Sequence, residues 1–233
     1  MEILKRIVRG LWRRVYRSPR PALNDLDRKL SKYLNFRNGF FIEVGANDGY
    51  AQSNTYYLEK KLGWRGVLVE AIPELYQRCR KRRTRSQVFH CALVADAAAQ
   101  PTVTVHFANL MSVVDGALRT NEAQQEHIKT GLEIQRLPGT YSLQVPTRTL
   151  TSILDEVQPP PIDFFSLDVE GYELPVLQGL DLSRYRPRFI LVEARFFDEV
   201  NAHLQPYYEL VEQMTHHDYF YRAKPSSPAG PTG

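Results

Sequence analysis

The run Phe40-Phe41-Ile42-Glu43-Val44-Gly45-Ala46-Asn47-Asp48-Gly49 constrains the fold more than any other part of this 233-residue chain. It reads as a buried strand over Phe40–Val44 that enters a glycine loop, followed by a helix over Ser53–Leu62 with Ser53 or Asn54 as its N-cap. In open α/β sheets, ligands settle at the carboxyl ends of strands, where a turn without side chains lets backbone approach them. The loop reads E-x-G-x-N-x-G, not the G-x-G-x-x-G of dinucleotide sites, which counts against a nicotinamide cofactor. Asn47 stands where a middle glycine would, and asparagine is the non-glycine residue best able to adopt positive φ. Glu43, heading the loop, suits a cationic ligand better than a pyrophosphate.

A second anchor follows at the distance a helix and a strand consume. Glu70 closes the strand Gly66–Glu70, 21 residues after Gly49. A carboxylate there can accept both hydroxyls of a ribose. Loop and carboxylate together predict a nucleoside-type ligand.

The rest of the chain keeps alternating. A short polar helix is expected around Asn24–Tyr33 and another helix over Pro73–Arg83. Strands are expected at Gln87–Val94 and Thr102–Phe107, with a helix at Asn121–Thr130 inside a segment, 109–140, that fits no strand pattern. Then come a helix at Thr151–Val157, a strand at Ile162–Asp168, a helix at Leu174–Leu180 and a strand at Phe189–Ala194. A helix over Tyr207–Thr215 and a last strand near Tyr219–Tyr221 complete the pattern. This predicts an α/β fold: a Rossmann-like, doubly wound, mostly parallel sheet with right-handed crossovers. The stretch after Phe189–Ala194 is short, so the final strands of a seven-stranded sheet are expected to be incomplete. Residues 21–224 would form the domain, and the Ser/Pro/Gly tail from Pro225 would be disordered.

The segments F-I-E-V-G-A-N-D-G, S-N-T, G-W-R-G-V-L-V-E (Gly63 to Glu70) and S-L-D-V-E-G-Y-E-L-P-V-L-Q-G resemble the FkbM-type methyltransferases over roughly Phe40 to Arg195. The most specific part is D-V-E-G-x-E-x-x-V-L-x-G, Asp168 to Gly179. The resemblance implies a class I methyltransferase fold, S-adenosylmethionine as cofactor, and O-methylation of a sugar, glycan, glycolipid or natural product. It implies that Gly45, Ala46, Asn47 and Gly49 cradle the methionine part, that Glu70 holds the ribose, and that Cys91 and Ala92 flank the adenine. Ser53 and Ala71, beside these anchors, join the cofactor-binding set. The 109–140 segment, outside the matched part, would cover the substrate.

Methyl transfer is an in-line displacement, so alignment matters most, but a hydroxyl acceptor must also lose its proton to a base or a metal. Asp168, Glu170 and Glu193 end neighbouring predicted strands and would share the ligand rim. Such a group can bind the cofactor's amino group, act as base, or hold a divalent cation. Asp168 is the first candidate and Glu170 the second. The plainer alternative has Glu170 capping the next helix and Glu193 pairing with Arg195. His106 is a rival base.

Charge is distributed unevenly. The formal net charge is only +4, but seven of the first twenty residues are Lys or Arg. With Ile3, Leu4, Ile7, Val8, Leu11, Trp12, Val15 and Tyr16 they make a basic amphipathic helix over residues 1–20, stopped at Ser18-Pro19. That form suits an anionic membrane surface or a docked partner. The basic run Arg78–Arg85 reads as a solvated helix end, and no broad basic face points to nucleic acid. Cys79 and Cys91 give no disulfide framework or metal spacing, and no signal-type apolar centre exists, so a cytoplasmic protein is expected, peripheral at a membrane face if the first helix binds lipid. A non-catalytic interaction module on the same fold is the alternative reading.

Overall fold

A computed structural model describes residues 18–225. Its elements run α1 (Leu26–Leu34), β1 (Phe40–Val44), α2 (Tyr56–Leu62), β2 (Arg65–Glu70), α3 (Pro73–Arg82), β3 (Gln87–His90), β4 (Ala92–Leu93), β5 (Thr102–His106) and β6 (Val113–Val114). Then come α4 (Asn121–Gln135), β7 (Ser142–Arg148), α5 (Leu150–Val157), β8 (Phe164–Leu167), α6 (Glu173–Gln178), β9 (Phe189–Glu193), α7 (Phe197–Leu204), β10 (Tyr208–Gln213) and β11 (Asp218–Ala223).

The main sheet has seven strands in the order β10-β11-β9-β8-β1-β2-β3. β3, β2, β1, β8 and β9 are parallel, and β11 runs antiparallel between β9 and β10. Strand alternation sends successive side chains to opposite faces, and both faces are covered. Phe40, Ile42 and Val44 pack with Ile153 and Leu154 of α5, Val176 of α6 and Leu204 of α7. Phe41 and Leu68 pack on the other face with Leu26, Leu30 and Leu34 of α1, Leu58 of α2 and Cys79 of α3. This is the doubly wound, mostly parallel architecture expected.

Several expectations need correction. The sheet is complete at its far edge: residues 208–213 form strand β10, not a helix, because pairing with β11 overrides the local pattern, with a register irregularity between Leu210 and Glu212. The helix of this region lies earlier, at α7. The expected strand Gln87–Val94 breaks at Cys91, where β3 leaves the main sheet and β4 joins a second one, β4-β7-β5-β6. That sheet also takes the expected strand at Thr102, and it packs Val103, Val105 and Val145 against Ile72 and Leu75 at the start of α3. No strand is expected from the sequence at 142–148, and β7 carries Pro146, a residue that central strands seldom accept. The structure tolerates it because β4 reaches only Thr147 and Arg148, leaving Pro146 without a neighbour on that side. α1 begins at Leu26, after left-handed Asn24 and Asp25 (φ 52 and 55), and its Leu26-Leu30-Leu34 row is buried.

Of the expected N-terminal helix only Ser18–Arg20 are described, and they are not helical. The rest of it, and all but Pro225 of the expected tail, lie outside the described residues. Among the described residues no helix is long and apolar enough to cross a membrane.

Candidate active site

A cleft of about 940 Å³, counting the space open to solvent, lies where β1, β2 and β8 end. Gly45, Asn47, Ser53, Glu70, Ala71, Cys91, Ala92 and Asp168 line it together with Glu43. Ala46 and Gly49 are not among the lining residues. Ala46 is buried in the apolar cluster under α1, so it supports the loop from behind.

The loop is shaped by contacts only certain residues permit. Gly45 has φ +83, and a Cβ there would stand 1.9 Å from the Asp168 carbonyl oxygen. Asn47 takes φ 48, as anticipated for the position of the missing glycine. The loop's N–H groups are already engaged. Gly45 and Ala46 both donate to the Val69 carbonyl at 3.1 Å, and Gly49 donates to Ala46 at 2.9 Å. Asn47 donates to Glu70 Oε2 at 2.7 Å, Asp48 to the Asn47 side chain, and Tyr50 and Ala51 to Asp48. Every N–H from Gly45 to Ala51 thus has a partner within the protein. The rim also presents acceptors.

Glu70 is one of these. Its second oxygen accepts the Ile72 N–H at 2.8 Å, so the carboxylate ties the loop to the start of α3 while each oxygen keeps a lone pair for a ligand. Burial pushes its pKa up to about 7. Glu43, in contrast, does not wait for a cationic ligand. Arg83 Nη1 lies 3.1 Å from its Oε2, and Ser53, Thr55 and the Asn54 N–H complete its partners. Arg83 is fully buried and also binds Glu59, Thr55 and the Gly49 carbonyl. Burial alone would raise the Glu59 pKa, but Arg83, Lys60 and Ser86 outweigh it and hold the carboxyl below its ordinary value. The reading of the basic run as wholly solvated is thus overturned at Arg83. The signal was present: Leu75, Cys79 and Arg83 fall at i, i+4 and i+8, on the helix's buried face.

The strand-end acids part company. The Asp168 carboxylate lines the cleft and takes no hydrogen bond from any described residue; burial first, then Glu193, drives its pKa well above the ordinary value. Glu170 also lines the cleft, but Arg195 holds it at 2.6 Å and His127 Nε2 lies 3.6 Å away. Glu193 is not among the lining residues. Arg195 therefore pairs with Glu170, not Glu193, and the acid that accepts a backbone N–H at this turn is Glu173, from Gly171 at 2.8 Å. His106 is removed from the cleft. Its Nδ1 lies 2.8 Å from Ser142 Oγ and its Nε2 2.9 Å from Asp115 Oδ1. Held by Ser142 and Asp115 on the second sheet, it is not among the residues lining the cleft. Both cysteines are buried, and burial pushes the Cys91 thiol up to about 12, so it packs as an apolar residue. Among the described residues no group of three or more His, Cys, Asp or Glu is placed to hold a metal ion.

A family model described as the methyltransferase FkbM domain matches residues 43–221. The chain belongs to the FkbM methyltransferase family. Membership makes it an S-adenosylmethionine-dependent methyltransferase. No curated protein matches it. Among solved structures, a TehB-like SAM-dependent methyltransferase from Corynebacterium glutamicum is similar at TM-score 0.41 and 10% identity, over 85% of each chain. The N-terminal domain of human METTL16, in complex with SAH, gives TM-score 0.43 and 12% identity over 87% of this chain and 67% of that one. A SAM-dependent methyltransferase from Thiobacillus denitrificans, in complex with S-adenosyl-L-homocysteine, gives 0.37 and 12% over 88% and 72%. These likenesses are distant, and the assignment rests on the family match.

In this FkbM methyltransferase the segment after β5 closes over the glycine loop that follows β1. Asn109, Leu110 and Ser112 line the cleft, and Asn47 Nδ2 reaches Asn109 Oδ1 at 3.4 Å. Gln135, at the end of α4, holds Asn109 from behind at 2.9 Å. These contacts could not be read from a segment without clear periodicity.

Proposed function

We propose that this methyltransferase acts on a hydroxyl, carried by a sugar, glycan, glycolipid or natural-product acceptor. The observation that carries the proposal is the chemistry of the rim: the carboxylates Glu70 and Asp168 line the cleft, the loop N–H groups are occupied, and Asp168 takes no hydrogen bond from any described residue. A pyrophosphate would need free donors. A cofactor bearing a sulfonium, an ammonium and ribose hydroxyls needs acceptors instead, so these residues fit S-adenosylmethionine.

When bound, that cofactor supplies a methyl group open to in-line displacement. On this reading Glu70 receives the ribose hydroxyls and Cys91 and Ala92 border the adenine. Asp168, whose carboxylate faces the cleft without a hydrogen bond from any described residue, accepts the proton of the incoming hydroxyl. Asn109, Leu110 and Ser112 cover the acceptor from the other side. Glu70→Ala is expected to weaken S-adenosylhomocysteine binding about 10- to 100-fold, the loss of one or two charge-assisted hydrogen bonds. Calorimetry giving wild-type affinity would remove Glu70 from the ribose site.

The acceptor is further proposed to sit at an anionic membrane surface touched by the basic N-terminal residues. Tyr50 donates to the Ser18 carbonyl at 3.3 Å and Ala22 pairs with Gln52, which lines the cleft. The N-terminal segment thus joins the domain beside the cleft, which supports this reading. Labelled-methyl transfer should be faster to glycolipids in anionic vesicles than to soluble nucleotide sugars. Equal or faster transfer to the soluble acceptors would refute the membrane reading, and transfer to amines alone would refute O-methylation.

A further inference from the structure

Four side-chain polar atoms among the described residues are buried without a hydrogen-bond partner, and of these only Asn54 Oδ1 belongs to a residue lining the cleft. The rest of Asn54 is held. Its backbone N–H donates to Glu43 Oε1 at 3.1 Å, and its Nδ2 donates to Ser166 Oγ, also at 3.1 Å. Ser166 is itself buried on β8. A buried amide carbonyl is seldom left without a donor, because its desolvation goes uncompensated. Here the side chain is locked in a residue of the cleft wall and its acceptor is buried there, an arrangement completed by a ligand that brings an N–H.

Its place in the sheet says which part of the ligand. Adjacent strands lie about 4.8 Å apart, and the strands at the cleft run β3, β2, β1, β8. Cys91 follows β3, Glu70 ends β2, and Asn54 is pinned between Glu43 on β1 and Ser166 on β8. A nucleoside gripped at its ribose by Glu70, with its base toward Cys91, sends its 5′ substituent toward Asn54. We infer that Asn54 is a cofactor-binding residue whose Oδ1 accepts a hydrogen bond from the α-ammonium of the cofactor's amino-acid end. The inference rests on the S-adenosylmethionine reading above and adds to it the residue that selects the amino acid.

The test is calorimetry on the full chain with two probes: S-adenosylhomocysteine, which carries the amino acid, and 5′-methylthioadenosine, which does not. Asn54→Ala should raise the Kd for S-adenosylhomocysteine at least 10-fold and move that for methylthioadenosine less than about 2-fold. Asn54→Asp keeps the acceptor oxygen and should stay within about 3-fold of wild type for both. On the unmodified chain, an S-adenosylhomocysteine analogue lacking the α-amino group should bind at least 10-fold more weakly, a measurement independent of how the variants fold. Equal weakening of both probes in Asn54→Ala would overturn the inference, because Asn54 would then act only by holding the loop. So would Asn54→Asp binding as poorly as Asn54→Ala with methylthioadenosine unaffected, since that would mean a donor contact to the carboxylate. If the unmodified chain bound neither probe, the cofactor reading itself would fall.

Discussion

Replacing Arg83 with leucine should destabilise the protein by about 3–5 kcal/mol, the cost of leaving buried charges without their partner. Arg83 is fully buried and stands between the Glu43 and Glu59 carboxylates at 3.1 and 3.0 Å. Leucine fills much of the volume and leaves both acids uncompensated. For a domain of this size the melting temperature should fall by roughly 10 °C or more, and differential scanning calorimetry reads it directly. An unchanged melting temperature would show that the acids can shed their charge or find water. The pH dependence has a definite sign. Glu59 is held below its ordinary value in the folded state, so its contribution is present above the unfolded pKa and fades as pH falls through the lowered one. The gap between wild type and Arg83→Leu should therefore narrow in acid.

The second large effect is on turnover. Asp168→Asn should lower kcat by about 10²- to 10⁴-fold, the usual contribution of a positioned general base, with S-adenosylhomocysteine affinity within about 3-fold of wild type. The geometry that motivates this is an acid in the cleft wall with no protein hydrogen bond, its pKa raised by burial and then by Glu193. A base of this kind is active when ionised, so kcat/KM in the wild type should fall as pH drops through a value above the ordinary carboxylate range. That acid limb should vanish in Asp168→Asn. Full activity in the variant, or an unchanged acid limb, would move the proton-accepting role elsewhere.

How far the sequence could be read depended on whether a signal was local. Phe40–Gly49 and Glu70 announce themselves because strand, turn and carboxylate lie in one stretch whose spacing the fold dictates. The central parallel strands are legible for the same reason, being short apolar runs between helices. Elements held by distant partners are not. Residues 208–213 form a strand because β11 pairs with them, and β7 accepts Pro146 because β4 stops short. Burial of a charge is hidden in a similar way: Arg83 looks like its basic neighbours until Glu43 and Glu59, each more than 20 residues away, are brought to it. Glu43 was for that reason given a ligand that the protein supplies from within. His106 suggests itself by residue type and by its place on the strand after the predicted adenine region, and the second sheet carries it to Ser142 and Asp115.

The occupied N–H groups from Gly45 to Ala51 have a thermodynamic consequence. A loop that satisfies its own amides keeps one shape whether or not a ligand is present, so binding does not have to order it. The entropy that a mobile loop would surrender is already lost when the chain folds. Any ligand that enters the cleft then meets a wall already set by the fold. The movable side of the cleft is then the one opposite, where Asn109, Leu110 and Ser112 line it and Gln135 of α4 holds Asn109.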